Sequence, residues 1–119
     1  HDADADFTPT YDVIRKVVAK VLERGLPYGS CLNVNFPDVP EYKGVKVCRQ
    51  AYGTWVNEWE SHNHPRGGQW WWLTGEFRID DTDENSDRVA LNNGYVAITP
   101  TKIDLTDYTL LEDMKEWGL

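Results

Sequence analysis

Val13, Ile14, Val17, Val18, Val21 and Leu22 recur at i, i+1, i+4, i+5, i+8 and i+9, while Arg15, Lys16, Lys20, Glu23 and Arg24 fill the gaps. That is the spacing of an amphipathic helix with one wide apolar stripe. Thr8 and Pro9 read as its N-cap and first helical residue, and Gly25 and Pro27 stop it. A helix this rich in β-branched residues is weak alone, so its stripe is expected to dock on a sheet. Downstream the period changes to two. Leu32, Val34 and Phe36 alternate with Asn33 and Asn35, which predicts a strand over Cys31–Phe36 that Pro37 ends. Gly44 opens a second strand, Val45–Gln50. Helix followed by strand suggests the tail of an α/β unit.

Thr54–Ile79 follows a different pattern. Trp55, Asn57 and Trp59 point one way if extended, and Gln69–Leu73 is a run of aromatic strand formers. Between them His62-Asn63-His64-Pro65-Arg66-Gly67-Gly68 is turn chemistry, so a long β-hairpin with its tip near Arg66 and Gly67 is expected. Asp80–Asp87 holds five acids and reads as a solvated loop. Ser86 caps a short helix closed by Asn93-Gly94, Tyr95–Thr99 is a strand cut by Pro100, and the last helix begins at Asp104 or Thr106. The predicted order is helix, strand, strand, hairpin, short helix, strand, helix. It divides into 1–53 (the end of an α/β core), 54–79 (a protruding hairpin) and 80–119 (acidic loop, short helix, strand and terminal helix). All belong to one domain fragment of class α/β, or α+β when the fragment is taken alone.

Composition narrows the function classes. With 12 Lys plus Arg against 20 Asp plus Glu in 119 residues, the formal charge is −8. A chain so acidic, with no basic block, does not fit a binder of polymeric nucleic acid. No apolar run reaches the roughly 18 residues of a membrane span. The opening His-Asp-Ala-Asp-Ala-Asp has neither an initiator Met nor a signal-peptide pattern, and reads as a piece cut from a longer protein. Six Trp are present, five of them between Trp55 and Trp72.

Several separated motifs then point to a family. Leu32-Asn33-Val34-Asn35-Phe36-Pro37, Lys43-Gly44-Val45-Lys46-Val47 with Arg49, and Pro65-Arg66-Gly67 fall in order. They are followed by Ser86-Asp87-Arg88-Val89-Ala90-Leu91, Gly94-Tyr95-Val96-Ala97-Ile98-Thr99-Pro100 and Asp104-Leu105-Thr106. Together they resemble the C-terminal half of the SurE (survival protein E) nucleotidases. The resemblance implies a Rossmann-like fold and a metal-dependent phosphomonoesterase of nucleoside 5′- and 3′-monophosphates. It further implies a hairpin and swapped terminal helix that build dimers or tetramers, and a cytoplasmic location. Mg²⁺ or Mn²⁺ would serve the full-length family member, whose ligands come from its N-terminal half. None of those ligands can be carried onto this sequence. The adjacent pair Asp80-Asp81 lacks the family's preceding Asn and following Gly. This segment is therefore expected to bind no metal and to be inactive alone, with no catalytic or metal residue of its own.

Other constellations have plain readings. Asp81, Asp83 and Asn85 have the one-three-five spacing of a calcium loop, but Ser86 replaces its Gly and Asn92 its Glu, so a hydrated loop is expected. His62 and His64 lack a third metal ligand and suit a hairpin tip. Asp2, Asp4 and Asp6 read as a frayed end, and Cys31 and Cys48 as two buried thiols. The indoles carry the strongest non-catalytic signal. Trp55 and Trp59 share one strand face, Trp70 and Trp72 the other strand's face, with Trp71 opposite. A ribbon cannot bury both faces alone, so an interface between copies is expected through Trp55, Trp59, Trp70 and Trp72, joined by Leu110, Met114 and Trp117 of the last helix. The alternative is a non-catalytic Trp-rich module that binds carbohydrate or peptide.

Overall fold

The computed structural model describes residues 6–118. A three-stranded sheet forms its centre. β7 (Val96–Lys102) lies between β1 (Ser30–Asn35), which is antiparallel to it, and β2 (Val45–Val47), which is parallel. The segment between β2 and β7 contains the four strands of a long ribbon and one short helix, so the parallel pair closes over an unusually large excursion. Pro100 is expected to cut β7, yet the strand continues through it, with Pro100 opposite Leu32. Val96 donates to the Gly44 carbonyl and Ile98 accepts from Cys48, so even-numbered residues of β7 turn their backbone toward β2. At Pro100 that side lies past the end of β2, where a missing N–H costs nothing. β2 is also shorter than Val45–Gln50, because Arg49 leaves it to form a parallel bridge with Ser86.

One helix lies against each side of the sheet. α2 (Asp87–Asn92) starts as expected at Ser86, whose Oγ accepts from the Val89 N–H, and Asn93-Gly94 ends it with Gly94 at φ 82°. Ala90 packs with Ala97 and Cys48 in the buried core, and Leu91 and Tyr95 cover this cluster. The thiols part company here. Cys48 is buried and Cys31 exposed, because no element covers the sheet at Cys31, whose Sγ meets Thr101 Oγ1 at 2.9 Å.

α1 (Tyr11–Arg24) begins two residues later than Thr8-Pro9 suggested, since Thr8–Thr10 form a 3-10 turn. Neither this turn nor α1 has a side-chain cap; the Thr8 N–H donates instead to Asp6 Oδ1, at 2.9 Å, ahead of the turn. Asp2 and Asp4 lie outside the described residues. Only the Val13, Val17 and Val21 edge of the stripe faces the sheet, beside Lys16, Lys20 and Arg24; Ile14, Val18 and Leu22 are exposed, and no residue of α1 is buried. A groove of about 510 Å³ separates Val13, Val17 and Val21 from Leu32, Val47 and Ile98. The expected docking is thus only half made, leaving apolar surface on both walls.

Beyond the sheet the chain reaches outward. β3 (Thr54–Val56) pairs with β6 (Glu76–Arg78), and β4 (Trp59–Asn63) with β5 (Gln69–Leu73). The two ladders share one register but are interrupted where Asn57 takes φ 54° opposite Gly75 at φ 114°. At Gly75 a Cβ would come within 3.0 Å of the Val56 carbonyl, so this crossing needs glycine. α3 (Tyr108–Met114) begins at Asp107, whose Oδ1 accepts from the Thr109 and Leu110 N–H groups, rather than at Asp104 or Thr106. The radius of gyration is 20.2 Å, against about 13–14 Å for a compact chain of this length. Accessible surface is 10238 Å², where a compact protein of this mass would have about 6,600 Å². The chain holds far more surface in water than its own core can cover.

Candidate functional site

Two features stand out: a polar cluster at the base of the ribbon, and the aromatic faces of the ribbon and terminal arm. The polar cluster is built on Arg49. Its Nη1 and Nη2 donate to the two oxygens of Asp81 at 2.7 and 2.9 Å, and its Nε and Nη2 donate to Asp83 Oδ2 at 3.2 and 3.0 Å. Asp81 also accepts from the backbone N–H groups of Tyr52 and Asp83, each at 3.0 Å. The guanidinium lies 4.7 Å from the centre of the Tyr52 ring. The Arg49 hydrogen bonds, and then the Tyr52 N–H, hold Asp81 well below the usual carboxylate range. Asp83 is lowered by the Asn85 backbone N–H and by Arg49, and the Arg49 guanidinium is itself raised, chiefly by Asp81. Beside the cluster a cavity of about 510 Å³ is lined by Tyr52, Thr54, Arg78 and Asp80–Asp83.

This geometry decides the calcium-loop question. Asp81 and Asp83 give their oxygens to a cation of the chain itself, and Asn85 hydrogen-bonds Asp83 Oδ1. Among the described residues, no three His, Cys, Asp or Glu side chains come together as metal ligands. All four carboxylate oxygens of Asp81 and Asp83 already accept hydrogen bonds from within the chain, so neither side chain of this loop has an oxygen free for a divalent ion. His62 is not at the tip but in β4, stacked on Trp70 with centroids 4.7 Å apart and Nε2 3.2 Å from Glu60. His64 is in the turn, where its Nδ1 accepts from the Arg66 N–H.

The register places the indoles in two sets. Directly opposed residues share a face, so Trp59, Leu73 and Trp71 lie together, while Trp70, Trp72, His62 and Glu60 lie on the other side. Trp55 faces Phe77 and lines a cavity of about 380 Å³ with Leu73, Glu58 and Thr74. The four Trp expected to form one interface are thus divided, Trp55 and Trp59 against Trp70 and Trp72. Trp59, Trp71 and Trp72 are each more than half exposed. Leu110, Met114 and Trp117 lie on the terminal arm, and Trp117 Nε1 donates to Asp113. They too are exposed.

The Arg49 cluster escaped sequence reading because its partners are 32 and 34 residues away. The available signal was a lone arginine at the end of an apolar strand, matched by an acidic loop after the hairpin.

The fold is a mixed α/β sheet with a projecting ribbon and arm, and comparison with known proteins gives the family. A family profile described as "Survival protein SurE" matches residues 1–57. The 5′-nucleotidase SurE of Phocaeicola vulgatus is 53% identical over the whole chain, which spans 47% of that relative. The protein of the same name from Bacteroides thetaiotaomicron is 52% identical over 96% of the chain and 44% of its own length. The crystal structure of the SurE protein from Aquifex aeolicus superposes with a TM-score of 0.75 at 31% identity, covering all of this chain and 49% of that one. The chain belongs to the SurE family. It spans about half the length of the curated relatives it matches, corresponding to their C-terminal half.

Proposed function

We propose that this chain acts as the C-terminal portion of a SurE-type nucleotidase, completing the sheet, walling the substrate cleft and joining subunits into a dimer or tetramer. The observation that carries this reading is the surplus of surface. The groove under α1 and the free edge of β1 have the character of faces awaiting more sheet, while the aromatic ribbon and α3 have that of faces awaiting another copy. A nucleoside monophosphate is the substrate of the assembled enzyme in this account. The Mg²⁺ or Mn²⁺ that the family implies would supply Lewis-acid activation of the phosphoester there. No described residue of this chain is assigned to hold it. Among the described residues no helix is long and apolar enough to cross a membrane. The family reading, rather than that absence, is the ground on which we assign the assembled enzyme to the cytoplasm.

Two assays on the chain as it stands test the proposal. Hydrolysis of a nucleoside monophosphate with Mn²⁺ is expected to be at background, and sedimentation is expected to give a concentration-dependent dimer or larger species. Turnover typical of an enzyme, or a monomer at all concentrations, would refute it.

The cavity between Trp55, Glu58, Leu73 and Thr74 favours a second reading, a binding module whose indoles stack on a sugar or peptide. The two readings differ in fluorescence. Quenching of the Trp emission by added oligosaccharide supports the module, and a blue shift on raising protein concentration supports the subunit interface.

A further inference from the structure

The strands of the ribbon pair only with one another, so among the described residues no β-ladder ties it to the three-stranded sheet. Apolar packing at the junction is incomplete, since Phe77 and Ile79 from the ribbon and Asn35 and Leu91 from the core border a cavity of about 200 Å³. An interior that held the ribbon by packing would be filled.

What spans the junction is Arg49. Its backbone is fixed to the core, donating to the Asn85 carbonyl and accepting from the Asp87 N–H, both at 2.9 Å. Its side chain grips both legs of the ribbon. Asp81, on the outgoing leg, receives the two-pronged contact and in turn accepts from the Tyr52 N–H of the incoming leg. Asp87 Oδ1 adds a bond from the Ala51 N–H at 2.9 Å. A planar guanidinium facing both oxygens of a carboxylate fixes direction as well as distance, which a lysine ammonium cannot do. We propose that Arg49 is the positioning residue of the ribbon: its fork on Asp81, backed by Asp83, sets the direction in which the aromatic hairpin leaves the sheet. The inference does not depend on what the ribbon docks against.

Pulsed electron-electron resonance tests it on the whole chain. One spin label goes on native Cys31, which is exposed on β1, and the other on Arg66→Cys at the ribbon tip, while buried Cys48 stays unlabelled. Dilution with unlabelled chain removes distances between copies, so the reading holds whether or not the chain associates. A single narrow distance distribution is expected for the parent. Arg49→Lys and Asp81→Asn should each widen it at least twofold, and Asp83→Asn by less, with β1 and β7 amides still protected from exchange. An unchanged width in Arg49→Lys and Asp81→Asn would overturn the proposal. So would loss of sheet protection in both, because the cluster would then hold the core together rather than aim the ribbon. Asp83→Asn, which leaves the Asp81 fork intact, guards against a folding failure. With the sheet intact, the same width as the parent counts against the backing role, and a partial widening supports it.

Discussion

Trp55 and Phe77 face each other across the base of the ribbon with ring centroids 5.4 Å apart. Trp55 borders a cavity with Leu73, whose face carries Trp59 and Trp71, and the opposite face carries Trp70 and Trp72, edge to face at 5.5 Å. An indole buries roughly 200 Å², which at about 25 cal/mol per Å² is several kcal/mol. If the Trp59 face joins two copies, Trp59→Ser and Trp71→Ser should each raise the dimer dissociation constant more than tenfold. Substitutions at Trp70 and Trp72 should act independently of these. Sedimentation equilibrium on single and double variants measures both effects, and full coupling between the two sets would mean that one contact uses both faces.

Ser86 is wholly buried, caps α2 through its Oγ and sits in the bridge that holds Arg49. Ser86→Ala is expected to cost about 1 kcal/mol through the lost cap. Denaturant unfolding followed by circular dichroism checks the loss. Ser86→Thr would keep the oxygen but add a methyl where no room exists, and should cost at least as much.

The two thiols should react very differently. Cys31 is exposed, whereas burial, and then the charge of Asp87, pushes the Cys48 thiol up. Because the thiolate is the reactive form, a disulfide reagent near pH 8 should modify Cys31 quickly. It should reach Cys48 about a hundredfold more slowly, at a rate set by opening of the core. Equal rates would place Cys48 in solvent.

The terminal arm has a pH signature. Tyr108 donates to Asp104, and this bond, followed by the Thr106 N–H, lowers the carboxyl from 3.8 to about 2. A lowered folded-state value means the interaction is fully present above the unfolded value near 3.8 and is lost as pH falls through about 2. Tyr108→Phe should move the midpoint back toward 3.8. Carbon-13 NMR of the Asp104 carboxyl reads the midpoint directly, and an unmoved midpoint would remove Tyr108 as the main cause.

Much of this architecture was legible in the sequence because it is written in local chemistry. The apolar period gave α1, Asn-Val-Asn alternation gave β1, the Pro-Arg-Gly-Gly turn gave the ribbon, and Ser86 gave the start of α2. Errors arose where a neighbouring strand or a distant group decides. Pro100 stays in β7 because β2 has already ended, a 3-10 turn displaces the Thr8 cap, and Asp107 rather than Thr106 caps α3. Cys31 is exposed because nothing packs over it. The faces of the ribbon followed from period two, whereas the Arg49 cluster joins residues far apart in the chain. The family was legible from motifs.

Under the proposed function this chain is one part of an enzyme whose catalytic groups lie in another. Co-expression with the N-terminal half of the Phocaeicola vulgatus SurE, followed by assay with a nucleoside monophosphate and Mn²⁺, tests this division of labour. The account expects neither piece to be active alone and the two to co-purify with nucleotidase activity. Activity of this chain by itself, or two pieces that fold separately and never associate, would contradict it.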